Sequence, residues 1–255
     1  MNHRDFSRDF SLENKTAVIT GASSGIGLSI ARMYAEKGAN IVVYDLNPSN
    51  ELEHFVTGLN RKYLFVKGDI SNVNEHAQSV EGIINRTGKV DILVNCAGVG
   101  LIDDAENISE EMWDKTMNVN IKGLFFFTQQ VGRSMIKNGG GKIISIASQA
   151  GIVALDQHIA YGVAKAGIIY MTKLLGYEWG EFNIQTNAVS PTIVLTPLGE
   201  RVWDNEKGDR FKKQIPTGRF AYPEEVAACA VFLASDGAAM INGENLVIDG
   251  GYTIQ

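Results

Sequence analysis

Seven short apolar runs alternate with longer amphipathic segments from about residue 15 onward, and this alternation constrains the fold more than any other feature. The runs are rich in β-branched residues and alternate little between apolar and polar, which indicates strands buried on both faces. They occupy residues 16–20, 41–44, 63–66, 92–94, 143–146, 184–189 and 246–248. Strands separated by helices pair in parallel, because each helix serves as the crossover between two strands. The pattern predicts an α/β fold, one doubly wound parallel sheet with helices on both faces.

Helix starts are visible between several of these runs. Ser71 precedes one helical pattern, Ser109 is followed by two glutamates, and Pro223 is followed by two more. Serine is a favoured residue just before a helix and proline is favoured in the first turn, so these positions mark helix N-termini.

The domain organisation follows from length and regularity. The chain has 255 residues, 45% of them hydrophobic and 20% charged, which is the balance of a folded globular protein and not of a disordered one. No internal repeat, low-complexity segment or linker divides it, so we predict one domain over 1–255. The least regular stretch, 190–217, contains Pro191, Pro197 and Pro216. We interpret it as a substrate loop, either a lid over a site or a mobile surface loop.

Charge and hydropathy narrow the setting. The net charge is −6 and no run of Lys or Arg occurs, so a nucleic-acid partner is not expected. No apolar stretch approaches the roughly 18 residues of a membrane span, and the first residues lack the apolar core of a signal peptide. Four scattered histidines show no ligand spacing, so no metal site is expected. We expect a cytoplasmic protein without a membrane partner.

A glycine-rich turn follows the first predicted strand and leads directly into a helix. It contains Gly21, Ser24, Gly25, Ile26 and Gly27, and the helical pattern runs from Leu28 to Lys37. Glycine lets a backbone turn tightly and approach a ligand, and a helix N-terminus offers free amides to a pyrophosphate. The alternative is a tight turn that binds nothing.

The second predicted strand ends at Asp45, which lies 24 positions after Gly21. An acidic residue about 20 positions downstream can accept hydrogen bonds from the adenosine ribose hydroxyls. The same carboxylate repels a 2′-phosphate, and no Arg or Lys at positions 22–24 or 46 neutralises it. This favours NAD over NADP, although Asp45 can also belong to a solvated strand-end turn.

Two further strand ends extend the same edge of the sheet, where ligands bind in folds of this kind. The third strand is followed by Asp69 and Ile70, and the fourth leads into Asn95, Ala97 and Gly98. Each signal alone also fits a helix cap or a structural turn. Together they predict one crevice wide enough for a flat cofactor.

Tyr161 and Lys165 form the pair that best indicates chemistry. On a helix, residues four apart lie about 6 Å from each other, so an ammonium can sit beside a phenol and favour the phenolate. The chain has the same spacing at Tyr63 and Lys67, but on a strand it spans about 13 Å. Residues 158–180 carry a helical apolar pattern, so only the first pair can cooperate. Ser148, at the end of the fifth strand, is placed to donate a hydrogen bond to the substrate oxygen that the phenol would meet. Taken alone, these residues fit equally well a surface Tyr, a solvated Lys and a strand-end Ser without a catalytic role.

The motifs then form an ordered series along the chain. They are Gly21-x3-Gly25-x-Gly27, Asn95-Cys96-Ala97-Gly98, Asn120, Ser148, Tyr161-x3-Lys165, Asn187-Ala188-Val189-Ser190-Pro191 and Asp249-Gly250-Gly251. This series resembles that of the short-chain dehydrogenase/reductase family, and the resemblance runs from about Leu12 to Gln255. It implies a Rossmann-type fold and hydride transfer to or from a nicotinamide.

The resemblance also implies roles for individual residues. Tyr161 would be the acid/base, Ser148 would position the reacting oxygen, Lys165 would bind the nicotinamide ribose, and Asn120 would hold a proton-relay water. The residues expected to bind NAD are Gly21, Ser24, Gly25, Ile26, Gly27, Asp45, Asp69, Ile70, Asn95, Ala97, Gly98, Tyr161, Lys165, Pro191, Ile193 and Thr196.

The chain departs from the family pattern at two positions. Cys96 stands where the family usually has Asn, a small change that we interpret as structural. Thr192 follows Pro191 where the family favours Gly, which puts the loop beside the nicotinamide site in question. Ile193 and Thr196 still match the positions that meet the carboxamide, so cofactor binding is expected.

Substrate identity is expected to reside in 190–217 and in the polar residues Gln149, Gln157 and His158, which suit hydroxyl groups better than a steroid or acyl chain. His158 can instead be a solvated residue near a helix start. The chain end and the Pro-Thr variation resemble the sugar-alcohol dehydrogenases of the family, which implies oxidation of a small polyol to a ketose. The alternatives are a 3-oxoacyl-thioester reductase and, from another class, a sensor that binds NAD without turnover.

The resemblance implies a homo-oligomer, often a tetramer with paired apolar helix faces. The apolar runs 123–127 and 168–171 are compatible with such an interface. They are equally compatible with helices that pack on their own sheet.

Overall fold

The computed structural model describes residues 10–196, 199 and 203–254. Its centre is a sheet of seven parallel strands in the order β3-β2-β1-β4-β5-β6-β7. The strands are β1 (Thr16–Thr20), β2 (Asn40–Asp45), β3 (Tyr63–Lys67), β4 (Ile92–Asn95), β5 (Gly141–Ile146), β6 (Ile184–Pro191) and β7 (Asn245–Ile248). The chain order reverses between β1 and β4, and in open α/β sheets such a reversal opens a crevice at the carboxyl ends of the strands.

Eight α-helices are described. They are α1 (Gly25–Glu36), α2 (Asn50–Gly58), α3 (His76–Thr87), α4 (Glu110–Met117), α5 (Leu124–Lys137), α6 (Ile159–Trp179), α7 (Glu206–Lys212) and α8 (Pro223–Ala234). A π-helical turn, Asn118–Gly123, joins α4 to α5. None of the helices in the described part of the chain is long and apolar enough to cross a membrane.

The helices cover both faces of the sheet because successive strand side chains point to opposite sides. Ala17 and Ile19 of β1 lie in a core shared with α1, α2 and α8. Val18 between them lies in the opposite core, with α3 and α5. All three side chains are fully buried, as the near-continuous apolar runs predicted.

The predicted strands are confirmed, with ends that shift by at most two residues. Ser109 caps α4 by accepting a hydrogen bond from the amide of Met112, and Pro223 begins α8. Ser71 is not a helix cap. Its amide and hydroxyl donate to Asp69 Oδ1, both at 2.8 Å, and α3 begins only at His76.

The interpretation of 190–217 as an irregular loop needs correction. Ser190 and Pro191 belong to β6, and α7 occupies Glu206–Lys212. The helix forms there because Asn205 accepts hydrogen bonds from the amides of Lys207 and Gly208, which caps its N-terminus. Residues 197, 198 and 200–202 of the predicted substrate loop lie outside the described residues.

Candidate active site

A cavity of about 1800 Å³ follows the carboxyl ends of the strands, from the glycine-rich turn after β1 to α7 and the chain end. This volume exceeds that of an ordinary small-molecule pocket, so it has room for a large ligand and a second, smaller one. Most of the predicted site residues lie on its wall: Gly21, Ser24, Gly25, Ile26, Gly27, Asp45, Asp69, Ile70, Ala97, Gly98, Ser148, Gln149, His158, Tyr161, Lys165, Pro191, Ile193 and Thr196. Asn95, Asn120 and Gln157 are predicted site residues that do not line it.

The glycine-rich turn is packed so closely that side chains would not fit. Gly21 has φ +69°, and a Cβ there would lie 2.7 Å from Ala97 Cα. A Cβ on Gly27 would lie 2.3 Å from the carbonyl oxygen of Gly21. Ser24 precedes α1 without a capping hydrogen bond from its side chain, so the first amides of the helix have no side-chain partner there. This end of the cavity fits a pyrophosphate.

Asp45 lies at the end of β2 beside the same turn. Its Oδ2 accepts a hydrogen bond from the amide of Ser23 at 3.0 Å, and its Oδ1 accepts one from the amide of Leu46 at 2.7 Å. The carboxylate therefore fixes the turn and is itself held in place on the cavity wall.

The two asparagines that lie off the wall hold the strand ends together. Asn95 is buried and donates to the hydroxyls of Thr128 and Ser145, at 2.8 and 3.2 Å. Asn120 is fully buried in the π-helical turn, and its amide makes paired hydrogen bonds of 2.8 Å with the backbone N–H and C=O of Val99. The Asn95 side chain thus holds the end of β4 against β5 and α5, and the Asn120 side chain fixes the loop after β4, which lines the cavity.

Tyr161 and Lys165 are neighbours on α6, as the spacing predicted. Lys165 Nζ lies 5.5 Å from the centre of the Tyr161 ring and donates to the carbonyl oxygen of Ile146 at 2.6 Å. Lys165 is buried, so this hydrogen bond at the end of β5 keeps its ammonium beside the phenol. The other tyrosine–lysine pair, Tyr63 and Lys67, lies on β3 and cannot act in the same way.

Ser148 is brought to this pair by a close backbone contact. It caps a short 3-10 turn, Gln149–Gly151, by accepting from the amide of Ala150 at 3.1 Å. A Cβ on Gly151 would lie 2.7 Å from the amide nitrogen of Ala166, and one on Gly162 would lie 3.0 Å from the carbonyl oxygen of Ala150. Glycine at both positions therefore lets the turn that follows Ser148 pack directly on α6.

The three polar residues predicted for the substrate end have different surroundings. Gln149 is buried on the cavity wall, and its Oε1 has no hydrogen-bond partner among the described residues. His158 precedes α6 and also lines the cavity. Gln157 does not, because its amide donates to Asp104 Oδ1 at 3.2 Å and so ties two loops together.

An aromatic wall, made of Trp203, Phe211 and Tyr252, lines the end of the cavity formed by α7 and the chain end, and the sequence analysis did not predict it. The rings of Phe211 and Tyr252 are stacked, with centres 5.0 Å apart, and Trp203 lies 5.4 Å from Phe211. Aromatic residues at 203, 211 and 252 are visible in the sequence. Their convergence depends on α7 and on the turn at the chain end, so no local pattern revealed it.

Comparison with known proteins decides the family. A family model described as enoyl-(acyl carrier protein) reductase matches residues 21–253. The chain is 48% identical to an NAD-dependent glycerol dehydrogenase of Listeria innocua, over 100% of both chains, and 48% identical to a D-threitol dehydrogenase of Mycolicibacterium smegmatis, over 97% of this chain and 96% of that one. A crystal structure of a short-chain type dehydrogenase/reductase from Mycobacterium marinum superposes with a TM-score of 0.91 at 31% identity, covering 96% of this chain and 98% of that one. The chain belongs to the short-chain dehydrogenase/reductase family. It is an oxidoreductase with a nicotinamide cofactor, as the motif series implied.

Cys96 departs from the short-chain dehydrogenase/reductase pattern, and its thiol is not reactive. Its amide and that of Ala97 both donate to Thr20 Oγ1 at 3.1 Å, which joins the ends of β1 and β4. Desolvation raises the pKa of the Cys96 thiol to about 12, so the thiol stays protonated at neutral pH.

Thr192, the second departure from the short-chain dehydrogenase/reductase pattern, fits its backbone position. Its φ is negative, so the position does not need glycine, and its amide donates to the carbonyl oxygen of Ile248 at 3.2 Å. Its side chain is buried on the cavity wall. The hydroxyl oxygen is buried and has no hydrogen-bond partner among the described residues.

The described residues contain no cluster of three or more His, Cys, Asp or Glu side chains that could hold a metal ion.

Proposed function

We propose that this enzyme oxidises a small polyol or sugar alcohol at a secondary carbinol to the corresponding ketose, with NAD as the hydride acceptor. The observation that carries the proposal is the Tyr161–Lys165 pair, beside Ser148, on the wall of a cavity that also contains the glycine-rich turn. The names of the relatives, a glycerol dehydrogenase and a D-threitol dehydrogenase, support the substrate class.

The cofactor would lie along the strand ends. Its pyrophosphate would meet the amides at the start of α1, and its adenosine ribose would meet Asp45. Its nicotinamide would lie near Pro191, Ile193 and Thr196, which line the cavity. When bound, the nicotinamide supplies the site that accepts the hydride. The other cofactor-binding residues of the proposal are Gly21, Ser24, Gly25, Ile26, Gly27, Asp69, Ile70, Asn95, Ala97, Gly98, Tyr161 and Lys165.

The protein would handle the proton. The Tyr161 phenolate would take the proton of the substrate hydroxyl, and Ser148 Oγ would donate to the same oxygen to hold it in place. Lys165 would stabilise the phenolate, because its hydrogen bond to Ile146 holds the positive charge next to the ring. Asn120 would act through the π-helical turn that it anchors, where a relay water would pass the proton to solvent.

NAD is proposed over NADP on the surroundings of Asp45. Its two oxygens face backbone amides, and no Arg or Lys stands at 22–24 or 46. A 2′-phosphate in this place would meet a carboxylate held too firmly to move away.

The substrate end supports a small hydroxylated molecule. Gln149 and His158 offer polar groups beside Tyr161, and the aromatic wall limits the depth of the cavity. A 3-oxoacyl-thioester reductase is the competing activity, and a relative from Thermotoga maritima that is named a 3-oxoacyl-[acyl-carrier-protein] reductase, 36% identical to this chain, supports that class. An NAD sensor without turnover is the candidate of another class, and the complete set of Asn120, Ser148, Tyr161 and Lys165 argues against it.

A panel of alcohols tests the proposal. NADH formation is measured at 340 nm with glycerol, four-carbon and larger polyols, and 3-hydroxyacyl thioesters, each with NAD and with NADP. We expect the highest kcat/KM with a polyol and NAD. Faster turnover of the thioesters would support the reductase instead, and tight NAD binding without turnover of any alcohol would support the sensor.

We also propose that the protein is a homotetramer. Both apolar runs contribute one face to the core, through Phe127 and Ile168, and expose another, through Phe126 and Tyr170. The exposed faces suit contacts between copies. A cytoplasmic location stays a prediction.

A further inference from the structure

We propose that His158 determines substrate specificity by accepting a hydrogen bond from the hydroxyl next to the reacting carbinol, so that the site selects vicinal diols over simple alcohols. The inference rests on the proposed alcohol oxidation at Tyr161. It begins with the position of the imidazole, which lies just before α6 and three residues before Tyr161. The carbonyl oxygen of His158 accepts a hydrogen bond from the amide of Gly162 at 2.6 Å, which ties His158 to the first turn of α6. The centres of the two rings are 5.8 Å apart, with an edge-to-face angle of 74°.

The backbone that carries His158 is held from both sides. Asp103 and His158 form a parallel β-bridge, and the amide of Asp103 donates to the carbonyl oxygen of Gln157 at 3.1 Å. Gln157 has a left-handed φ of +64°, and its side chain donates to Asp104. The imidazole therefore stands on a fixed segment and not on a free loop.

The hydrogen bonding of the ring decides which nitrogen is available. Nδ1 contacts the carbonyl oxygen of Asp156, which can only accept, so Nδ1 carries the proton of the neutral ring. Nε2 is then an acceptor. Among the described residues nothing lies within hydrogen-bond distance of it, while His158 lines the cavity.

An acceptor in this place requires a donor on the substrate. When the reacting oxygen of the substrate meets Tyr161 and Ser148, the substituent on the neighbouring carbon lies toward His158. A hydroxyl there donates to Nε2, whereas a methylene leaves Nε2 without a partner. A 3-hydroxyacyl thioester has only a methylene and a carbonyl oxygen on this side, and neither can donate. A site that is built to bind a hydroxyl discriminates strongly against the analogue that lacks it.

A matched pair of secondary alcohols tests the inference. The stereoisomers of 2,3-butanediol are compared with 2-butanol, which has the same carbon chain without the second hydroxyl. For the unaltered enzyme with NAD, we expect kcat/KM for the best diol to exceed that for 2-butanol by roughly 100-fold or more. In His158→Phe, which keeps an aromatic ring and removes the acceptor, we expect the ratio to fall to about tenfold or less, with 2-butanol nearly unaffected.

Two further variants separate recognition from folding. His158→Asn keeps a side-chain acceptor and should retain an intermediate preference for the diol. His54→Phe replaces an exposed histidine on α2, away from the cavity, and should leave both rates unchanged. NAD affinity, measured by fluorescence titration, should be unchanged in all three variants.

The outcomes distinguish the inference from the proposed function. An unchanged ratio of diol to 2-butanol in His158→Phe would overturn the role of His158 while alcohol oxidation stands. An equal loss with both alcohols would also overturn it, because it would indicate a structural role. Oxidation of polyols of the panel without a preference for any 2,3-butanediol over 2-butanol would overturn this inference alone. Failure of the unaltered enzyme to oxidise any polyol of the panel with NAD would overturn the proposed function, and this inference with it.

Discussion

A single residue can take part in this chemistry only if the element that carries it gives it the right neighbour. Tyr161–Lys165 and Tyr63–Lys67 have the same spacing, but one pair lies on α6 and the other on β3. The sequence could separate them, because helical and strand periodicities differ over a few residues. The hydrogen bond from Lys165 to Ile146 could not be predicted in this way, since it joins residues 19 positions apart across a strand end.

Asp45 gives a prediction about the cofactor at the same scale. Asp45→Ala removes the carboxylate that we propose faces the ribose and repels a 2′-phosphate. We expect the ratio of kcat/KM with NAD to kcat/KM with NADP to fall by roughly 10- to 100-fold, which corresponds to the loss of a hydrogen bond to a charged group, about 1.5–3 kcal/mol. Steady-state kinetics with both cofactors measures the ratio.

Glu36→Gln is the control for Asp45→Ala, because Glu36 is an exposed acidic residue at the far end of α1. Its cofactor ratio should match that of the unaltered enzyme. A preference for NADP in the unaltered enzyme, or an unchanged ratio in Asp45→Ala, would contradict the assignment.

At the scale of elements, the sequence predicted the strands and long helices well and the substrate end poorly. Runs such as 184–189 identify a buried strand, because burial on both faces leaves a local apolar signature. No local pattern predicts that Tyr252 stacks on Phe211, because the two residues are 41 positions apart. The aromatic wall depends entirely on long-range packing of this kind, whereas the glycine-rich turn also has a local pattern of glycines in the sequence.

The turn at the chain end, Tyr252–Ile254, is held by Asp249. Burial raises the pKa of Asp249, but the hydrogen bonds from Thr253 and from the amide of Gly251 outweigh burial and lower the pKa below its ordinary value. A lowered carboxyl pKa means that the stabilisation is present above the ordinary pKa, near 4, and is lost as the pH falls through the lowered one.

Asp249→Ala should therefore lower the melting temperature at pH 7 by roughly 2–10 °C, which corresponds to about 1–3 kcal/mol. The difference from the unaltered protein should shrink as the pH falls below about 4. Because Tyr252 is the first residue of this turn and lines the cavity, KM for the alcohol should rise more than kcat falls. Scanning calorimetry and steady-state kinetics measure both effects.

Glu244→Gln is the control, since Glu244 is exposed in the loop before β7. It should not change the melting temperature. An unchanged melting temperature in Asp249→Ala, or a difference that grows toward acid pH, would contradict this account of the turn.

At the scale of the whole molecule, one sheet edge assembles the site from residues that span most of the chain, from Gly21 to Tyr252. The motif series occupies nearly the entire length, so we propose that the substrate site is built from loops and helices of the cofactor-binding fold itself. Tyr161, the proposed acid/base residue, and the glycine-rich turn lie on the wall of one cavity. Because Tyr161 and the glycine-rich turn lie on different elements, a substitution at one can leave the other intact.

The central test compares Tyr161→Phe with Tyr177→Phe, a change at an exposed tyrosine on the same helix. The measurements are NADH formation with the best alcohol of the panel and NAD affinity by fluorescence titration. We expect Tyr161→Phe to lower kcat by at least about 100-fold while NAD affinity stays within about threefold, and Tyr177→Phe to change neither. Undiminished turnover in Tyr161→Phe would contradict the account.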